Sequence, residues 1–221
     1  MASWYDRAIL TEEPIPQPNG TTLLTTKVNT VPLMSVEERN KKRDHEGLDY
    51  KERYLTSGER RFLYSIFGDQ LDYSKIRVNN HVIKDYLGVT VHGTISFSPK
   101  SYDAIPDFSQ ANVSIDDKSW LVHEATHVWQ EQKLNDYHPG KAMGEQVKYG
   151  DGAYDYIPDP NLKLSDYRYE QQAKIVQDYY LMLNNGKVRE NKNPTNPRGP
   201  RVVQEYRWIV RRVIPEPLFM P

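Results

Sequence analysis

Hydrophobic positions along this chain fall into a few helical stripes separated by short alternating runs. The clearest stripe covers 118–132, where Leu121, Val122, Ala125, Val128 and Trp129 recur at three- and four-residue spacing. Nothing from Lys118 to Gln132 breaks a helix, and Asp116 and Asp117 stand just before it as N-cap residues. A second helix is expected over 166–184, with Ala173, Val176, Tyr180 and Leu183 in one stripe and Asn185-Gly186 as a C-cap pair. A third covers 60–67, in which Phe62, Leu63, Ile66 and Phe67 recur at helical spacing. Thr56 and Glu59 precede it as a capping box, and Gly68 ends it. The densely charged stretch 35–47, opened by Ser35 and Glu38, reads as a solvated surface helix.

Shorter runs fit strands. Residues 75–78, 89–91 and 94–98 are expected to be strand-like, with a turn at His92-Gly93. Residues 99–109 read as a loop. The first 35 residues are rich in proline and threonine and read as extended or irregular chain, with one short strand at 22–28. Residues 135–160 show no period and interleave Gly, Pro and Tyr. A connection that long is usually functional or mobile. It reads as part of a substrate groove or, equally, as a surface excursion packed down by its own tyrosines. Beyond Lys187 the chain is rich in Arg, Lys, Asn and Pro, with 207–214 as a compact strand or short helix.

The first stripe carries the chemistry. His123-Glu124-Ala125-Thr126-His127 is an H-E-x-x-H pattern. Residues four apart on a helix share a face, so His123 and His127 can offer two imidazoles to one metal ion. Glu124 projects beside them, where it can act on a water as general base. The bland alternative is an amphipathic helix whose histidines are merely hydrogen-bonded. A small sheet ahead of this helix and a second helix behind it make an α+β, zincin-like metallopeptidase domain with loop-rich ends. The expected organisation is an irregular N-terminal extension over 1–55 packed on the domain, a catalytic domain over 56–186 and a basic, Pro-containing tail over 187–221.

Composition narrows the chemistry further. The 221 residues can bury a sizeable core. There are no cysteines, so disulfides and thiolate ligands are excluded and zinc must be held by His, Asp or Glu. Charged residues make up 27% and nearly cancel to a net charge of -1, which gives no general case for nucleic acid or an anionic membrane. The basic tail is a weak signal for an acidic partner, because prolines interrupt it. No apolar run reaches the ~18 residues of a membrane span. The opening residues lack the basic and apolar regions of a Sec signal peptide. Sixteen tyrosines suggest many half-buried rings with a polar handle.

Two histidines do not complete a catalytic zinc site, which takes three protein ligands and a water. An H-E-x-x-H-x-x-G-x-x-H extension is absent, because Gln130 and Lys133 occupy the glycine and histidine places. Glu170, near the start of the second helix, is the first candidate for a His-His-Glu site, with His138 and Asp166 behind it. Asp178 reads as a surface carboxylate or, less simply, as a partner of a ligating histidine.

Three short blocks carry a resemblance. Phe67-Gly-Asp-Gln-Leu-Asp-Tyr-Ser-Lys-Ile-Arg-Val78, Trp120-Leu-Val-His-Glu-Ala-Thr-His-Val-Trp-Gln130 and Tyr169-Glu-Gln-Gln-Ala-Lys-Ile175 resemble a bacterial family of zinc metallopeptidases associated with type VI secretion. Some members are C-terminal domains of VgrG spike proteins and others are stand-alone effectors. The resemblance covers roughly 57–185. It implies zinc ligands His123, His127 and Glu170, a catalytic base Glu124, and an antibacterial toxin acting in the target cell's periplasm. A spike or carrier protein and an immunity protein are the partners it suggests.

The implied reaction is amide hydrolysis of a peptide or protein. Glu124 takes the water's proton and passes it to the leaving amine. Tyr169, Tyr154 or His138 could stabilise the tetrahedral oxyanion. Two rivals stand beside this reading: a non-catalytic component of the secretion apparatus with a structural or vestigial zinc site, and a hydrolase of peptidoglycan stem peptides.

Overall fold

A computed structural model describes residues 6–16, 22–32, 51–80, 88–134, 138–184 and 203–215. The chain divides into two compact units, Met1–Tyr50 and Lys51–Pro221. The first unit holds an antiparallel ribbon of β1 (Asp6–Pro16) and β2 (Thr22–Pro32), in register from Asp6 opposite Pro32 to Pro16 opposite Thr22. Two eleven-residue strands replace the single short strand expected there. Proline does not forbid them, because each strand of a two-stranded ribbon has an outward edge that needs no donor. The helix expected over 35–47 lies outside the described residues.

The second unit is α+β. Among its described residues are four short strands, β3 (Glu52–Tyr54), β4 (Arg77–Asn79), β5 (Val89–Val91) and β6 (Thr94–Ser96). They form a mixed sheet in the order β3-β4-β6-β5. Only the β4–β6 pair is parallel. The β5–β6 hairpin turns at His92 and Gly93, with φ of 51° and 72°. Two consecutive positive φ values suit the right-handed twist of a two-residue hairpin.

Six α-helices occur among the described residues: α1 (Ser57–Phe67), α2 (Pro99–Ala104), α3 (Ile115–Lys133), α4 (Pro139–Tyr149), α5 (Tyr169–Leu183) and α6 (Val203–Arg211). The Thr56–Glu59 capping box of α1 is present, and Gly68 follows at φ 52°. The Glu59 carboxylate is buried and holds more than its own helix. It accepts from the backbone of Thr56 and Phe108 and takes both guanidinium nitrogens of Arg53, at 2.7 and 2.8 Å.

Several elements depart from the pattern-based expectation. Residues 99–104 form α2 rather than loop, because Ser98 caps them and Pro99 sits where a helix has no use for an N–H. The cap of α3 is Ser114, whose hydroxyl accepts from Asp117 N, so the two aspartates stand inside the first turn. The stretch read as aperiodic groove holds α4 and then a 3-10 segment, Gly150–Tyr154. Helix α5 begins at Tyr169, three residues later than expected. Leu183 falls outside its buried stripe and is exposed. Asn185 and Gly186 lie outside the described residues. Residues 203–211 are helical, and Tyr206, Ile209 and Val210 are fully buried in the same core as Leu63, Ile95, Val128 and Ile175. The sequence division at 186 therefore cuts across a common core.

The site rests on the contact between α3 and α5, which pack along each other, with β5 beside α3. Among the described residues, no helix is long and apolar enough to cross a membrane.

Candidate metal centre

Helix α3 is buried on every side from Leu121 to Gln130. Leu121, Val122, Ala125 and Val128 have no exposed surface, and Trp129 has 1%. Burying each large apolar side chain contributes roughly 1.5–3 kcal/mol, so the helix is fixed in rotation as well as place. The rotation leaves His123 and His127 one turn apart with ring centroids 5.0 Å from each other. Trp120 and Tyr154 flank His123 at 5.8 and 5.9 Å.

Glu170, on the first turn of α5, completes the group. One oxygen, Oε2, lies 3.4 Å from His123 Nε2 and 3.6 Å from His127 Nε2. All three residues are buried, and one ligand atom from each lies within 4.8 Å of the others. The other oxygen, Oε1, accepts from Gln146 Nε2 at 2.9 Å. Oε2 is buried with no hydrogen-bond partner. A carboxylate oxygen without a partner is costly to bury unless a cation meets it. His123, His127 and Glu170 could thus bind a metal ion, and their nitrogen and oxygen donors fit a borderline ion.

The tautomer of His127 follows from its neighbours. Gln172 Nε2 donates to the Tyr167 carbonyl at 2.7 Å, which turns Gln172 Oε1 toward Gln130. Gln130 Nε2 donates to that oxygen at 3.0 Å and to the Tyr169 carbonyl at 2.9 Å. Gln130 Oε1 is therefore the atom 2.8 Å from His127 Nδ1. The proton must sit on Nδ1, and Nε2 keeps its lone pair for a metal. His123 has no such partner: its Nδ1 is buried and unbonded.

Without a metal, protons balance the site. Burial opposes charging His127, but the adjacent Glu170 carboxylate outweighs it and raises the imidazole to about 9. Burial likewise opposes ionising Glu170, yet the two imidazoles hold it well below the usual carboxylate range.

Glu124 is 3% exposed and held from β5. Thr90 Oγ1 donates to Glu124 Oε2 at 2.7 Å, with the Glu124 carbonyl oxygen 3.1 Å away. Gly88 passes so close that a Cβ there would lie 2.7 Å from Glu124 Oε1. Tyr154 stands on the other side. Its hydroxyl accepts from Gln146 Nε2 at 2.9 Å, and burial, with Glu170 and Glu124 behind it, pushes its pKa up.

The structure gathers His123, Glu124, His127, Glu170 and Tyr154 and leaves other sequence candidates elsewhere. His138 is exposed and caps α4, its Nδ1 accepting from Gly140 N at 3.0 Å. Asp166 accepts from the Lys163 backbone at 2.8 Å. Tyr169 enters through its carbonyl, which receives Gln130. Asp178 is not on the surface. It is fully buried and binds the Tyr156 hydroxyl at 2.5 Å and Lys174 Nζ at 2.6 Å. Thr90, Gly88 and Gln146 went unnoticed in the sequence, because each reaches the site from a distant segment. Gln130, three residues beyond His127 on the same helix face, and Gln172, two residues beyond Glu170 on α5, were within sight.

No family model matches the chain. It is 34% identical over 139 residues to the type VI secretion system spike protein VgrG2b of Pseudomonas aeruginosa. The match takes in 60% of this chain but only 13% of that protein's length. Among solved structures, the effector domain of Pseudomonas aeruginosa VgrG2b superposes with a TM-score of 0.53 at 32% identity. That superposition covers 60% of this chain and 75% of the effector domain. Agreement in sequence and in backbone over three quarters of that domain gives one conclusion: the chain belongs to the family of the VgrG2b effector domain.

Proposed function

We propose that this protein is a zinc metallopeptidase with a zincin-like catalytic domain, acting as an antibacterial effector toxin of a type VI secretion system. The observation that carries the reading is Glu170 Oε2, buried without a hydrogen bond and facing the Nε2 atoms of both histidines. Among the described residues the group offers three donors and no fourth, which matches a catalytic site better than a closed structural one. His123, His127 and Glu170 would hold a zinc ion, which when bound would supply Lewis-acid polarisation of the scissile carbonyl and a lowered pKa for water at the site.

The chain's own residues do the rest. Glu124 accepts a proton from the attacking water and delivers it to the leaving amine. Thr90 holds Oε2, and the missing side chain of Gly88 leaves room beside Oε1. Tyr154 is the donor for the tetrahedral oxyanion, since its hydroxyl already accepts from Gln146 and keeps its own proton to give. Among the described strands, β5 lies at the sheet edge beside α3, where an extended polypeptide can pair. That favours a peptide or protein substrate over a short peptidoglycan stem. The kinship with VgrG2b supports a spike carrier as a partner, and an immunity protein and action in the target-cell periplasm complete the proposal.

Metal analysis of the purified protein tests the reading. About one zinc per chain is expected, lost in His123→Ala and Glu170→Ala. Glu124→Ala should keep the zinc and lose toxicity when directed to the periplasm. A wild type that takes up no zinc, or a toxic Glu124→Ala, would rule the peptidase out.

A further inference from the structure

We propose that Glu145 and Gln146, consecutive on α4, form a clamp that positions the third metal ligand, Glu170. The inference rests on the metal-site reading and deepens it. At the start of α5, Gln171 Oε1 accepts from the Arg168 backbone N–H at 3.0 Å, but Arg168 makes no side-chain capping bond to the N–H groups of the first turn. Glu145 supplies one from α4. Its Oε1 accepts from Tyr169 N at 3.1 Å and its Oε2 from Glu170 N at 3.0 Å. The two oxygens are thus committed to two successive backbone donors that a helix start leaves open. This fixes the main chain of Glu170.

Gln146 fixes its side chain. The Gln146 amide nitrogen donates to Glu170 Oε1 at 2.9 Å. The same nitrogen lies 2.9 Å from the Tyr154 hydroxyl. An amide nitrogen has two hydrogens and no acceptor capacity, so each hydrogen has one partner. The amide is therefore anchored at both ends and cannot flip. Its bond occupies Oε1 and leaves Oε2 as the sole oxygen presented to the histidines. The dipeptide thus sets both where the ligand starts and which of its atoms binds.

A donor that holds a ligating carboxylate typically changes metal affinity by about 10–100-fold when removed. The test compares zinc affinity, by competition with a fluorescent chelator, in the wild type, Gln146→Met, Gln146→Glu and Glu145→Gln. Gln146→Met keeps the length and removes the donors, so it should bind zinc about 10–100-fold more weakly. Gln146→Glu should be weaker still, because it sets a second carboxylate against Oε1. Glu145→Gln should also weaken binding, since its amide opposes a backbone N–H. The visible bands of the cobalt-loaded Gln146→Met protein should shift, and its loss of zinc affinity should exceed what any fall in the melting temperature of its metal-free form accounts for. Wild-type affinity and an unshifted cobalt spectrum in Gln146→Met overturn the clamp and leave the metal site standing. A drop in affinity matched by a fall in metal-free stability overturns it too, in favour of simple packing. A wild type without zinc affinity overturns the site and the clamp together.

Discussion

With Glu124 as the proposed general base, the Thr90 hydroxyl decides which of its oxygens is left free. Thr90→Val removes one bond to a buried charged group, worth roughly 1.5–3 kcal/mol. It should lower turnover about tenfold or more while zinc content is unchanged, and Thr90→Ser should restore it. Gly88→Ala drives a methyl to 2.7 Å from Oε1 and should be at least as damaging, again with the metal retained. His127 gives a pH prediction with a definite sign. Its raised pKa, about 9 against an unfolded 6.5, stabilises the metal-free fold fully below 6.5. That contribution is lost as pH climbs through 9. Zinc must displace the same proton, so binding near neutral pH should release about one proton from this imidazole. Calorimetry in buffers of different ionisation enthalpy measures it, and zero release would contradict the His127–Glu170 pairing described here. The residues of this inner group were legible because their spacing on one helix is a chemical statement. Their supporting atoms were not, because Thr90 and Gln146 share no periodicity with His123.

Elements differ in how openly the chain declares them. Helix α1 was plain, since its box of Thr56 and Glu59 and its terminal Gly68 are local signals. Thr56→Ala should cost about 1 kcal/mol in a denaturant melt, because it removes the acceptor for Glu59 N. An unchanged midpoint would mean that the tertiary bonds of Glu59 already hold that end. Helix α4 was hidden. Pro139, Gly140 and Gly144 depress intrinsic propensity, and most of its surface is exposed, so no apolar stripe betrays it. It forms because Pro139 and Ala142 are buried and because Glu145 reaches the start of α5. The cap of α3 was misplaced by two residues because Ser114, Asp116 and Asp117 are all good caps. Only the backbone decides which of them lies outside the helix.

At the scale of the whole molecule, the C-terminal segment is the part least visible in composition. Arginines and prolines suggest a solvated tail, yet Tyr206 is fully buried, and its hydroxyl lies 2.8 Å from that of Tyr156. Tyr156 in turn meets Asp178 on α5, so α6 is wired to the ligand-bearing helix. Tyr206→Ala should cost about 3–5 kcal/mol, as other buried aromatic truncations do. A loss under 1 kcal/mol would show that α6 is dispensable to the second unit. The α+β class was readable from the order of short strands and long helices. The ribbon of the first unit was not, because proline at several of its positions argues locally against strands.

One pairing along α3 has a geometric consequence. Glu124 meets Thr90, and Glu131, two turns further on, accepts from Gly93 N at 2.7 Å and lies 2.9 Å from His92 Nδ1. Strand β5 is thus pinned to the helix through its middle residue, Thr90, and through the turn that follows it, and cannot slip by a residue. It works as a ruler with a zero mark at Glu124 and a tick about every 3.4 Å. A polypeptide lying along that ruler presents one bond to the proton acceptor and holds its neighbours a full tick away.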